Sequence, residues 1–232
     1  MLGNAVETVF DFLSGGAPTS LLHRGQLSPS EFVEAGDALV SASPAWRWRP
    51  SLRPSALLPA SKQYLMSEGL PIDHGVIDDA LRKIDDSTEI CSFVDASVGI
   101  GLSSSSDPAS ASGGGVTLSV SIVYNETYKT PHLFIAGYGA DGTPLSSPLL
   151  LGIVAKDMAQ TTATLERSHP HSATSSASSI PPTPVLALHP CRHAQVMLAI
   201  FEVEKETPNA AAYLRLWLRA ISGALRVVID HA

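Results

Sequence analysis

From Val116 to Tyr124 the chain alternates. Val116, Leu118, Val120, Ile122 and Tyr124 fall on one side, and Thr117, Ser119 and Ser121 on the other. A period of two belongs to a strand with one buried face; a helix cannot bury that pattern on a single stripe. The strand starts abruptly after SSSSDPASASGGG, residues 103–115, a run with too little apolar surface to order itself. The core sheet must therefore be assembled across a polar, glycine-rich break. Residues 132–138, HLFIAGY, predict a second strand, and Asp141-Gly142 a turn just after it. Trp46–Trp48 and Lys62–Met66 read as two more strands, with a proline-rich turn between them suited to a hairpin-like connection. Thr161–Glu166 is β-branched enough for another strand, and Val185–Leu188 is a short extended segment.

Helical spacing brackets these strands. Ser28-Pro29-Ser30-Glu31 carries an N-cap, a proline at the first helical position and the acid that completes a capping box. The helix is expected to run through Phe32, Val33, Leu39 and Val40 until Pro44. After Cys191, the residues Ala194, Met197, Leu198 and Phe201 are expected on one helical side until Pro208 interrupts. A last helix places Tyr213, Leu214, Trp217, Leu218, Ile221 and Leu225 in one stripe. The order, a helix, antiparallel strands and then helices, is that of an α+β fold. Two segments stand apart. Residues 1–13 put Leu2, Val6, Val9, Phe10 and Leu13 at helical spacing before Gly15 and Gly16. Residues 67–115 read as a flexible insertion, with Ile77, Leu81 and Ile84 at helical spacing in acidic surroundings. Residues 168–184 form a second low-complexity loop.

The 232 residues suffice for a sizeable core without disulfide or metal staples. A net charge of −7 makes a broad nucleic-acid surface an unattractive reading. Two cysteines, Cys91 and Cys191, give no disulfide framework, and no apolar run approaches the roughly 20 residues that span a bilayer. The expectation is a soluble intracellular protein with reduced thiols.

Cys191 is the residue with chemical promise. It follows a proline and precedes a helical pattern, so backbone N–H groups and the positive helix end would favour its thiolate. Arg192, His189 and His193 add positive charge. A thiolate there suits acyl transfer, with the same N–H groups available to an oxyanion. The plainer reading is a buried small hydrophobe, the usual fate of a lone cysteine. A Cys-His protease is another option, and it would want an orienting Asn or Asp. The alternation of His189, Cys191 and His193 would suit a metal on a strand, but Pro190 and the helix after Cys191 argue against it. No metal and no cofactor are expected.

The string His189-Pro-Cys-Arg-His-Ala-Gln-Val-Met197 resembles the active-site signature of the autophagy E2-like enzyme family that attaches a ubiquitin-like modifier to phosphatidylethanolamine. Other segments resemble the family in its order: Gly25–Val40, Ser43–Trp48, Lys62–Leu65, Val123–Pro131 through Tyr138, and Thr162–Glu166 followed by His169-Pro170-His171.

The resemblance implies an antiparallel E2-like sheet flanked by helices, built from residues 17–66 and 116–232. It implies that Cys191 is the catalytic residue, carrying the modifier's C-terminal glycine as a thioester received from an E1-like enzyme. The amine of phosphatidylethanolamine then takes the modifier for autophagosome formation. Thr162 or Thr164 would correspond to a threonine thought to influence the active centre. Residues 1–16 would be a membrane-sensing helix acting through Leu2, Val6, Val9, Phe10 and Leu13, so that a cytoplasmic protein associates peripherally with autophagic membranes. Residues 67–115 would bind the E1 and a companion E3-like conjugate through Ile77, Leu81 and Ile84. The family's acidic modifier-binding extension looks absent, since only about VEKETPN, residues 203–209, separates the last two helices. Two other readings stay open: the sister autophagy E2-like enzyme that passes a modifier to a protein lysine, and a non-catalytic membrane scaffold.

Overall fold

A computed structural model describes residues 20–86, 115–154, 163–166, 183–205, 207–225 and 229, with the backbone alone for 83–86 and 224. Helix α1 spans Pro29–Ala42, β1 Arg47–Arg49, β2 Tyr64–Pro71 and α2 His74–Asp86. Strand β3 spans Thr117–Asn125, β4 Thr130–Tyr138 and α3 Ser147–Val154. Strand β5 spans Ala163–Glu166, β6 Val185–Leu188, α4 His193–Glu204 and α5 Ala210–Ala224. Six strands form one sheet in the order β1-β2-β3-β4-β6-β5, every pairing antiparallel. The expected α+β class is the observed one.

The alternating segment is the axis of this sheet. It pairs along its whole length with β4, from Thr117 opposite Tyr138 to Asn125 opposite Thr130. Leu118, Val120, Ile122 and Tyr124 are buried in the main core, as their spacing predicts. Leu65, Leu133, Ile135, Leu186 and Leu188 extend that buried face, against which the stripe of α5 and Phe32, Ala35 and Leu39 of α1 pack. Tyr213, Leu214, Trp217 and Leu218 are wholly buried. Each such side chain stabilises the fold by about 1.5–3 kcal/mol through apolar burial. The opposite sheet face carries a smaller cluster of Phe134, Val185 and Ala187, with Val123 against it.

The capping box is present in full. Ser28 Oγ accepts from the Glu31 N–H at 3.2 Å, and Glu31 Oε2 accepts from the Ser28 N–H at 2.7 Å. Gly36 is required by a close approach, because a Cβ there would sit 2.1 Å from the Trp48 ring. That indole N–H donates to Asp37 Oδ1 at 2.9 Å, fixing α1 against β1.

Three expectations change. The boundary expected after residue 66 falls inside β2, which continues through a bulge at Ser67–Leu70 to Pro71. Gly69 takes a positive φ of 73° in that bulge. The helix within the supposed insertion packs on the body: Ala80 is wholly buried and meets Gly152 of α3 so closely that a Cβ on Gly152 would lie 3.1 Å from it. Ile77 packs against the core, Leu81 is 46% exposed, and the Ile84 side chain lies outside the described residues. Helix α3, SPLLLGIV, was not expected: it is apolar almost all round, so it has no helical stripe for a sequence pattern to reveal. Residues 1–13, including Leu2, Val6, Val9, Phe10 and Leu13, lie outside the described residues, as do residues 87–114 and 167–182.

Candidate active site around Cys191

Strand β6 delivers the chain to the site. Its four residues, Val-Leu-Ala-Leu, are all buried between β4 and β5. The buried strand stops at His189, and Pro190-Cys191-Arg192 forms a single 3-10 turn before α4. Cys191 precedes the helix, as expected: α4 begins at His193, and Arg192 occupies its N-cap with no side-chain bond. Pro190 is buried and anchors the turn, while Cys191 and Arg192 are exposed. Cys191 is a free thiol. The plainer reading of a buried small hydrophobe is therefore wrong for this residue.

The two flanking histidines divide the work. His189 Nδ1 accepts the N–H of Cys191 at 3.3 Å, closing the turn. An N–H can only donate, so Nδ1 is unprotonated and the neutral ring carries its proton on Nε2. His189 thus carries its ring proton on the nitrogen that is not bonded to the turn's backbone. The same bond occupies the cysteine's own N–H, one of the backbone donors expected for an oxyanion. The His189 ring also meets Tyr128, from the turn between β3 and β4, edge to face at 5.5 Å.

His193 is buried. Its Nδ1 lies 2.9 Å from the carbonyl of Pro131 in β4, and since that oxygen only accepts, Nδ1 carries the proton. Its ring stands edge to face on Trp217 of α5 at 5.4 Å. Burial lowers its pKa, the Pro131 carbonyl raises it, and the charge of His189 lowers it further. His193 joins α4 to the sheet and to α5. It starts a buried row with Met197 and Phe201, at i, i+4 and i+8. The expected row of Ala194, Met197, Leu198 and Phe201 is therefore rotated, and Leu198 is exposed at 38%. That spacing was the signal that would have found His193 as a core residue.

His132 was not singled out by the sequence. It lies in β4 opposite Val123, with its ring 4.2 Å from Phe134 and its Nε2 buried without a partner among the described residues. Burial, then His193, then His189 push its pKa down to about 4. A neutral imidazole therefore sits behind the turn. Tyr128 was also missed, because a tyrosine in a polar turn has no pattern to mark it. Thr164 is on exposed β5, its Oγ1 donating to the Ala187 carbonyl at 3.4 Å, whereas Thr162 lies outside the described residues.

The loop before α1 closes the site from another side. Gly25 has φ 69°, and a Cβ there would come 2.1 Å from the Ala194 carbonyl oxygen of α4. Its own carbonyl accepts from Tyr213 Oη at 2.6 Å, and that of Leu27 accepts from Tyr124 Oη at 2.8 Å. Both phenols have raised pKa values, chiefly through burial, and stay protonated donors.

The family model for the active-site domain of autophagocytosis associated proteins matches residues 31–230, which include the whole sheet, the cysteine turn and both C-terminal helices. The chain belongs to this family. Relatives named autophagy-related protein 3 agree. That of Schizosaccharomyces pombe is 31% identical, the match covering 87% of this chain and 86% of the relative. That of Yarrowia lipolytica is 26% identical over 85% of this chain, and the match spans 59% of the relative's length. That of Saccharomyces cerevisiae is 25% identical, covering 79% of this chain and 73% of the relative. The family's E2-like architecture is consistent with the antiparallel sheet and its helices.

Proposed function

We propose that this chain is the E2-like conjugating enzyme of an autophagy system, accepting a ubiquitin-like modifier from an E1-like enzyme as a thioester on Cys191 and passing it to phosphatidylethanolamine. The observation that carries the reading is the free, exposed thiol at the end of a buried strand, within the family's active-site domain. In loading, the Cys191 thiolate attacks the E1-bound thioester carbonyl and the E1 sulfur leaves. In transfer, the neutral amine of the acceptor attacks the carbonyl held on Cys191. The C–N bond forms and the C–S bond breaks. The nitrogen gives up a proton and the departing thiolate takes one up. The His189 Nε2–H is the side-chain donor available to the oxyanion that develops between these steps. His193 holds the end of the turn against the sheet through the Pro131 carbonyl.

Residues 1–16 bring the enzyme to its lipid, their row of Leu2, Val6, Val9, Phe10 and Leu13 entering the interface reversibly. Among the described residues no helix is long and apolar enough to cross a membrane. The E1 and the companion conjugate engage the acidic segment around α2, for which Leu81 offers exposed apolar surface and Ile77 does not.

The test mixes the full chain with E1-like enzyme, ATP and modifier, followed by non-reducing electrophoresis. A thiol-sensitive adduct should form, Cys191→Ala should abolish it, and Cys191→Ser should trap a thiol-resistant oxyester. Product should then require phosphatidylethanolamine vesicles. Absence of a Cys191 adduct removes the reading, and transfer to protein lysine without lipid replaces it with the sister activity.

A further inference from the structure

The side chain next to the nucleophile has no protein partner in the described structure. Arg192 is exposed, and among the described residues it makes no ion pair or side-chain hydrogen bond, whereas Arg49, Lys62, Arg82 and Arg219 each meet a carboxylate. The chain carries 22 acidic side chains against 15 basic ones, yet none of the acidic ones falls between Thr183 and Phe201. The first acid of α4 is Glu202, about 13 Å along the axis from the helix start. Glu166 of β5 pairs with Val185, at the far end of β6 from His189. On the facing β3–β4 turn, Glu126 accepts a hydrogen bond from Ser55 Oγ at 2.6 Å and keeps its charge, and Lys129 of the same turn offsets it. Among the described residues the cation beside Cys191 is therefore not paired with an acid, a setting that favours a negatively charged reactant.

The proposed acceptor has such a charge at a fixed place. Its phosphodiester lies two carbons and one oxygen from the attacking nitrogen. Neighbouring Cα atoms are about 3.8 Å apart, so when the nitrogen reaches the carbonyl on Cys191 the phosphate falls within the sweep of the next side chain. A guanidinium matches two phosphate oxygens with two parallel N–H donors, which an ammonium does not. We propose that Arg192 binds the phosphate of the acceptor headgroup, making the turn selective for phosphoethanolamine-type amines over bare amines. This rests on the reading of Cys191 as the thioester-bearing residue.

The experiment loads the full chain with modifier, quenches the E1, and follows single-turnover discharge onto ethanolamine, glycerophosphoethanolamine and phosphatidylethanolamine in vesicles. Ethanolamine lacks the phosphate, and glycerophosphoethanolamine carries it without a membrane. The wild-type protein should prefer glycerophosphoethanolamine over ethanolamine. Arg192→Gln should lower that preference by about 10- to 100-fold, the range for losing a hydrogen bond to a charged group, and Arg192→Lys should retain part of it. No preference in the wild type, or a preference that survives Arg192→Gln because both acceptors slow equally, overturns the assignment. Failure of the wild type to load Cys191 overturns the underlying reading instead.

Discussion

On the N-terminal side of Cys191 the chain is a strand buried along its length that ends in an exposed histidine. On the C-terminal side an exposed arginine leads at once into a buried histidine and the core of α4. The two histidines stand symmetrically about the cysteine in sequence, yet their surroundings are opposite. His193 is fixed from two directions, by the Pro131 carbonyl and by the Trp217 ring. His189 is held by one edge contact with Tyr128 and spends its Nδ1 on the cysteine backbone. The difference shows how a reactive turn can be both positioned and open. Rigidity is supplied by the buried partner after the cysteine, and the exposed partner before it bonds the turn's own backbone.

This contrast can be broken most severely at Trp217. Trp217→Ala should destabilise the protein by about 3–5 kcal/mol, as for other buried tryptophans, and denaturant unfolding would measure it. A loss below about 1 kcal/mol would mean that α5 does not support the turn through this ring.

The histidine pair sharpens the comparison directly. His193→Ala should cost about 2–3 kcal/mol, because it empties a core position and leaves the Pro131 carbonyl without its donor. His189→Ala should shift stability by about 0.5 kcal/mol or less, as exposed substitutions do, while slowing discharge of a loaded Cys191. Equal thermal shifts for the two variants would erase the distinction.

The smallest effect is a pH slope. His132 and His193 have folded pKa values below the unfolded histidine value, so the unfolded chain binds more protons as pH falls. Stability is then full above the unfolded pKa of about 6.5 and declines as pH drops toward the folded value, at most about 1.4 kcal/mol per pH unit for each histidine. For His132 the window runs from about 6.5 down to about 4. His132→Gln should flatten that slope in unfolding curves taken across the window. An unchanged slope would assign the proton uptake to other groups.

Much of the scaffold was legible before any coordinates. The alternation of residues 116–124, the capping box at Ser28 and the stripe from Tyr213 to Leu225 encode their structures locally, because strand period, N-cap bonding and helix period are properties of neighbouring residues. The exposed placement of Cys191 agrees with the nucleophile reading of its setting after proline. Other features had no local cause. Helix α3 is nearly all apolar, so its packing against α2 and the sheet, rather than a stripe in its sequence, selects its helical form. The bulge at Ser67–Leu70 depends on register with β3, and β6 enters between β4 and β5 through pairings distant in sequence.

The sequence by itself determined the central strand, the capped first helix and the stripe of the last one, since these follow from residue order alone. Only the tertiary structure decided which nitrogen of each flanking histidine is bonded, and to what. It also brought His132 and Tyr128, from another strand and its turn, to the histidines that flank the cysteine. Burial and hydrogen-bond polarity are set by what lies across the fold, and no short window of sequence contains that neighbour.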